Sequence, residues 1–354
     1  MSQARADFVI IGSTPLARLV AGLLATRHGK AVIFAGESQS GYRLPRGVDL
    51  SVAPITRPET WGLLKTLVPE TLKLVSRIGG RSAWSRVDPI LFAEHDQGKE
   101  ALAHIRHMAL AFGDVAEPIG EKSIGPGRDG IILRDAVLLR RPALEAALER
   151  WLDQHGVRRL DADAVLVVRP DGGAQMLAGG NTTDIGQAVL ADDMALLQHL
   201  PVAQWPGLLQ RQCGSTIFTE PTRPIAASVM IQIDNGLIMV QQPDRAIVAL
   251  GPGRIEPFAA RMGTLLGRGR AFRQAGQSSY AGVMTSDGAP AVGRLGGLGA
   301  DVLAGLGPTG AFLAPAFARW LSNVASPAEN AWFGARLVDR RTVPSPVADV
   351  GVTA

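Results

Sequence analysis

Val302-Leu-Ala-Gly-Leu-Gly-Pro-Thr-Gly-Ala-Phe-Leu-Ala-Pro-Ala-Phe-Ala318 is the stretch on which the fold turns. A short apolar run gives way to a glycine-rich turn from Gly305 to Gly310, and an apolar helical pattern follows. In a strand–turn–helix unit, the unpaired N–H groups of the first helical turn and the positive end of the helix dipole point at one spot. Such a spot stabilises negative charge, whether on a bound anion or one that develops in a reaction. Asp287-Gly-Ala-Pro-Ala-Val-Gly293 precedes it and reads as another turn entering the same region.

The other end of the chain opens with the same kind of unit. Residues 7–11 read as a buried strand, 12–17 as a turn and 16–28 as a helix with Leu16, Leu19, Val20, Leu23 and Leu24 on one face. Gly29 ends the helix and residues 31–35 form a second strand. This is a βαβ opening with the spacing of a dinucleotide-binding fold. Of its G-x-G-x-x-G/A fingerprint, Gly12 fills the first position and Ala17 the third, whereas Thr14 stands at the second and Pro15 follows it. Pro15 suits a first helical turn, and Leu16 begins the apolar face. The acid that meets a ribose at the end of the second strand falls on Gly36, with Glu37 one residue later.

Between these ends the patterns alternate. Helical periodicity covers 59–78, 97–112, 143–155 and 255–266, and strands are expected at 163–168, 174–178 and 187–191. Residues 215–250 carry closely spaced β runs with turns at Asp234-Asn-Gly236 and Pro243-Asp244, as antiparallel strands do. Of the 354 residues, 46% are hydrophobic and 19% charged, enough for a large core in one or two intertwined domains. The net charge of +4 comes from scattered arginines without basic runs, which argues against nucleic acid as a partner. No run of about 18 apolar residues is present, so no membrane span is expected, and a cytoplasmic location follows as the default. Cys213 is the single cysteine, which rules out an intrachain disulfide, and it reads as a buried, inert thiol. His104 and His107 share a helix face without a metal-binding pattern around them, and no metal site is expected. Asp192-Asp193 reads as a helix cap. The tail from Pro344 is poor in order-promoting residues and is expected to be mobile.

Taken in order, these segments resemble the D-amino-acid-oxidase-like (DAO) family of FAD oxidoreductases. The N-terminal βαβ unit resembles that family's FAD-binding start, and residues 137–157 its approach to a further nucleotide-side strand. Ala188-Val-Leu-Ala191 resembles the strand that ends beside FAD, although Asp192-Asp193 follows where the family has small residues. Gly251-Pro-Gly-Arg-Ile-Glu256 resembles a family turn, and the C-terminal stretch matches best. The resemblance implies an α/β (α+β overall) fold: a Rossmann-like FAD-binding domain under an antiparallel β-sheet substrate domain. Residues 1–80, 135–200 and 285–340 would form the first, 81–134 and 201–284 the second, and 341–354 a tail.

By the same resemblance Gly12, Thr14, Pro15, Leu16, Ala17, Gly36, Glu37, Arg43, Arg46, Gly47, Val165 and Ala191 would hold FAD from the nucleotide side. Gly305, Gly307, Pro308, Thr309, Gly310, Ala311 and Phe312 would meet its ring and linker. The cysteine or histidine that some members bond to flavin has no counterpart, which implies non-covalent FAD. The family implies oxidation of an amine or amino-acid-like C–N bond by hydride transfer, with the protein chiefly positioning the substrate. Its carboxylate-binding arginine falls on Met284, which cannot form a bidentate clamp, so an ordinary free amino acid is less expected than the family implies, with Arg254 or Arg273 as candidate substitutes from elsewhere. Tyr280 would orient a substrate. A small-molecule amine is therefore the expected partner, with a peptidyl side chain also open. The departures at Thr14, Gly36, Asp192-Asp193 and Met284 leave as the alternative an accessory subunit that has lost the reaction.

Overall fold

A computed structural model of the chain describes residues 4–37, 43–161, 163–267, 272–341 and 349. The expected mobile tail lies outside these residues except for Asp349, which is buried.

The first strand, Ala4–Ile11, sits inside an eight-stranded sheet, parallel to Val32–Ala35 on one side and to Asn181–Leu190 on the other. Asp301–Ala304 extends the parallel order beyond Asn181–Leu190, and Arg158–Arg159 beyond Val32–Ala35. Both faces of such a sheet must be covered. Phe8, Ile10 and Phe34 accordingly enter one apolar cluster, and Val9, Ile11 and Ile33 the cluster on the opposite face. The helix Pro15–His28 covers the first face and packs closely on the helix Arg141–Gln154. Gly22 makes this approach possible: a Cβ there would lie 2.1 Å from the Trp151 ring. Gly29 closes the helix at φ 60°, the left-handed conformation that glycine adopts without strain.

A second eight-stranded sheet runs in the order Gln274–Thr285, Leu209–Thr219, Ile247–Pro252, Ile238–Gln241, Val229–Gln232, Ile90–Ala93, Asp129–Leu133, Ala116–Ile119. All its pairings are antiparallel except Val229–Gln232 with Ile90–Ala93. The helix Ile255–Leu266 covers it with Phe258, Met262 and Leu265 turned inward. A two-stranded ribbon, Trp84–Val87 with Ala136–Leu139, lies apart from both sheets. The fold is thus mixed α/β, with one parallel and one antiparallel sheet, as the sequence predicted. Cys213 departs from expectation: it is exposed on Leu209–Thr219. Asp192 does cap a helix, Asp193–His199, by accepting from Ala195 N–H.

Candidate active-site cleft between the two sheets

Four parallel strands end at Ile11, Ala35, Leu190 and Ala304. The next residues, Gly12, Gly36, Ala191 and Gly305, all line one cleft of about 1850 Å³. The opposite wall comes from the antiparallel sheet, chiefly Gln274–Thr285. Open α/β sheets place ligands at the carboxyl ends of their strands.

The N-terminal turn is closely determined. Thr14 caps the first helix, its Oγ1 accepting from Ala17 N–H at 3.3 Å. Pro15 and Ala17 belong to the helix and do not line the cleft, whereas Gly12, Thr14 and Leu16 do. Gly36 fills the position of the ribose-binding acid for a steric reason: a Cβ there would lie 2.0 Å from the Gly12 carbonyl oxygen. Glu37 follows, its N–H bonded to Ser13 Oγ and its carboxylate paired with Arg43. Arg18, fully buried, donates to the Ser13 and Glu37 carbonyls and to Glu149, and so ties the turn to the second strand. The sequence reading missed this residue, although an arginine among the apolar positions of the helix was the available signal.

The largest departure from a nucleotide turn comes from Asp192. Its Oδ2 accepts from Ser13 N–H at 2.6 Å, so a carboxylate occupies the side of the turn where backbone donors would meet an anion. Val165 and Ala191 also line the cleft, the former as an exposed residue at its rim.

The glycine-rich C-terminal stretch ends the strand Asp301–Ala304 as expected, but a seven-residue 3-10 segment, Gly307–Leu313, precedes the helix Ala314–Leu321. Gly305 and Gly307 have φ of 67° and 53°. Gly305, Gly307, Pro308, Gly310 and Ala311 face the cleft. Thr309 and Phe312 do not. Thr309 bonds back to Leu306, and Phe312 is a core residue whose carbonyl accepts from Thr71 Oγ1 at 3.0 Å. Pro308 accepts from Leu50 N–H, which brings the loop of Arg46, Gly47 and Asp49 against this segment. Asp49 pairs with Arg141 at 2.6 Å, a cleft arginine that sequence reasoning missed.

On the facing strand, Tyr280 and Met284 line the cleft. Tyr280 donates to the Arg46 carbonyl at 3.2 Å, and Arg46 stands over its ring at 5.7 Å. Burial pushes the phenol up to about 12, with the charge of Asp193 adding to the rise. Arg254 is exposed at the start of the helix Ile255–Leu266 and lies outside the cleft; Arg261, about two helical turns further on, lines it instead. Asp193 also lines it, its Oδ2 accepting from Val283 N–H at 3.0 Å.

Neither protein-family models nor curated proteins match the chain. Solved structures do. Glycine oxidase from Geobacillus kaustophilus superposes with a TM-score of 0.71 over 93% of this chain and 98% of that one, at 16% identity. L-proline dehydrogenase from P. horikoshii gives 0.69 over 94% and 97%, at 15% identity. Iminodiacetate oxidase from Chelativorans sp. gives 0.64 over 90% and 95%, at 18% identity. The chain has the DAO-like fold. In this DAO-like fold the cleft between the sheets is where the departures gather: Asp192 on the N-terminal turn, Asp193 beside the facing strand and Met284 across from it.

Proposed function

We propose that this chain is an FAD-dependent oxidoreductase that oxidises a C–N bond of a small amine or amino-acid-like molecule, with FAD held non-covalently. The supporting observation is the cleft, with glycine turns at four parallel strand ends on one wall and antiparallel strands on the other. The residues present suit a long, flat, anionic cofactor. At Gly305 a Cβ would intrude to within 3.1 Å of Thr285, and four arginines reach the walls, of which Arg43 and Arg141 are paired with Glu37 and Asp49 and leave Arg46 and Arg261 for an anion. When bound, FAD supplies the hydride acceptor. Gly12, Thr14 and Leu16 would follow its phosphates, Glu37 and Val165 its adenosine end, and Gly305, Gly307, Gly310 and Ala311 its ring side. Tyr280 then orients the substrate from the opposite wall, and the two sheets exclude water from between them. In this reading residues 1–80, 135–200 and 285–340 form the cofactor domain and 81–134 with 201–284 the substrate domain.

One observation favours a second reading, an accessory protein of a larger redox complex. Asp192 places its carboxylate on Ser13 N–H, and Pro15 offers no N–H to a phosphate. Visible absorption before and after heat denaturation, with and without added FAD, separates the two. The redox reading expects flavin bands that pass into the supernatant and bleach anaerobically with an amine. A protein that carries no flavin and takes up none leaves only the accessory reading.

A further inference from the structure

Among the described residues, one carboxylate of the cleft has no cation paired with it. Asp193 Oδ2 accepts from Val283 N–H; among the described residues Oδ1 has no hydrogen-bond partner, and no arginine, lysine or histidine pairs with the group. Strand alternation places Tyr280, Gly282 and Met284 on one face of Gln274–Thr285. A Cβ at Gly282 would lie 3.1 Å from Asp193 Oδ2, so the carboxylate stands where a side chain of that face would begin, between Tyr280 and Met284. All four residues line the cleft.

We infer that Asp193 anchors the ammonium group of a substrate amine that carries no α-carboxylate. This rests on the reading of the cleft as the substrate site. A half-buried carboxylate on a cleft wall without a paired counter-charge is a ready acceptor, and an ammonium supplies both the charge and hydrogen-bond donors. An α-carboxylate beside Asp193 would be repelled, and Met284 offers it no clamp. Burial and the neighbouring charge of Asp192 push Asp193 up to about 6, against the pull of Val283 N–H. The other titratable or charged groups around it are Tyr280 on the facing strand, with Arg46 and Cys213 next to that phenol. Amine binding therefore weakens as the pH falls below about 6 and Asp193 takes up a proton.

Matched pairs that differ by one carboxylate test this: benzylamine against phenylglycine, and pentylamine against norleucine, titrated calorimetrically into the protein as purified. Expected is binding of each amine about tenfold or more tighter than its amino-acid counterpart. Asp193→Asn, which keeps the acceptor for Val283 and its melting temperature, loses that binding, and Met284→Arg moves the preference toward the amino acids. Equal binding to Asp193→Asn, no amine binding to the wild type, or tighter binding of the amino acids, as Arg46 would favour, overturns the inference. The titration needs no turnover. Asp193-dependent amine binding in a protein that takes up no flavin sinks the redox reading alone. Flavin reduction by amino acids, unaffected by Asp193→Asn, sinks this inference alone.

Discussion

Asp192 uses its two oxygens for different elements. Oδ1 accepts from Ala195 N–H and starts a helix; Oδ2 accepts from Ser13 N–H and locks the N-terminal turn. The first role follows from the sequence, because an aspartate ahead of a helical pattern is a common cap. The second joins residues 179 positions apart and leaves no local signal. The same limit applies to Gly36. Counting along the chain places a ribose-binding acid there, but the approach of the Gly12 carbonyl admits only glycine, and Glu37 pairs with Arg43 instead. Asp192→Asn keeps a single acceptor oxygen, which can serve the Ala195 N–H cap while Ser13 N–H is released toward the cleft, and it removes the charge. If phosphates approach this turn, the substitution tightens FAD binding roughly tenfold, about 1.4 kcal/mol, because a like charge is withdrawn. Quenching of FAD fluorescence on titration measures this, and an unchanged affinity means that the phosphates do not come near Ser13.

At the scale of elements, what could be read depended on how local the determinants were. The helix Ile255–Leu266 and the strand Ala174–Ala178 fall where periodicity puts them, since each carries a complete pattern of its own. Ile90–Ala93 and Ala116–Ile119 are four residues each, too short to show alternation. Ile90–Ala93 is moreover fixed by a parallel partner, Val229–Gln232, far along the chain. The glycine-rich stretch was legible as a strand and turn, but its 3-10 geometry was not, because a neighbour sets it. Thr71, fully buried on the helix Pro58–Gly79, donates its hydroxyl to the Phe312 carbonyl and holds the segment that lines the cleft. Thr71→Val keeps the shape of the side chain and leaves that carbonyl without its donor. A loss of about 1–3 kcal/mol is expected, measured as a lower urea midpoint at unchanged slope. An equal midpoint would show that the 3-10 segment holds its own geometry.

For the whole molecule, the two sheets explain why a chain with such a degraded fingerprint keeps its architecture. The cores on either side of the parallel sheet, and the one under the helix Ile255–Leu266, are built mostly from apolar residues away from the cleft, with a few members such as Leu16, Ala191 and Ala311 reaching its wall. One buried polar cluster that composition did not reveal joins distant parts of the chain. Arg336 and Asp349 are each 3% exposed and joined by an Nε–Oδ2 bond of 2.7 Å. Thr60 donates to Asp349 Oδ1 and accepts from Trp332 Nε1 and from Arg336. Asp349 N–H also reaches the carbonyl of Gly288, a residue of the cleft wall, so this cluster links the helix Pro58–Gly79, the helix Pro327–Gly334 and the site. Asp349→Ala leaves the buried Arg336 guanidinium with only the half-exposed Glu59 carboxylate, 3.4 Å away, at a cost of about 3 kcal/mol. The double substitution Arg336→Met with Asp349→Leu removes both charges and should recover most of that loss, since a buried pair replaced by apolar groups of similar size is often neutral. Urea unfolding of the two variants beside the wild type decides the matter. If Asp349→Ala unfolds at the wild-type midpoint, the pair contributes no anchoring. If the double variant is no more stable than the single one, the network through Thr60, rather than the charge balance, holds this corner closed.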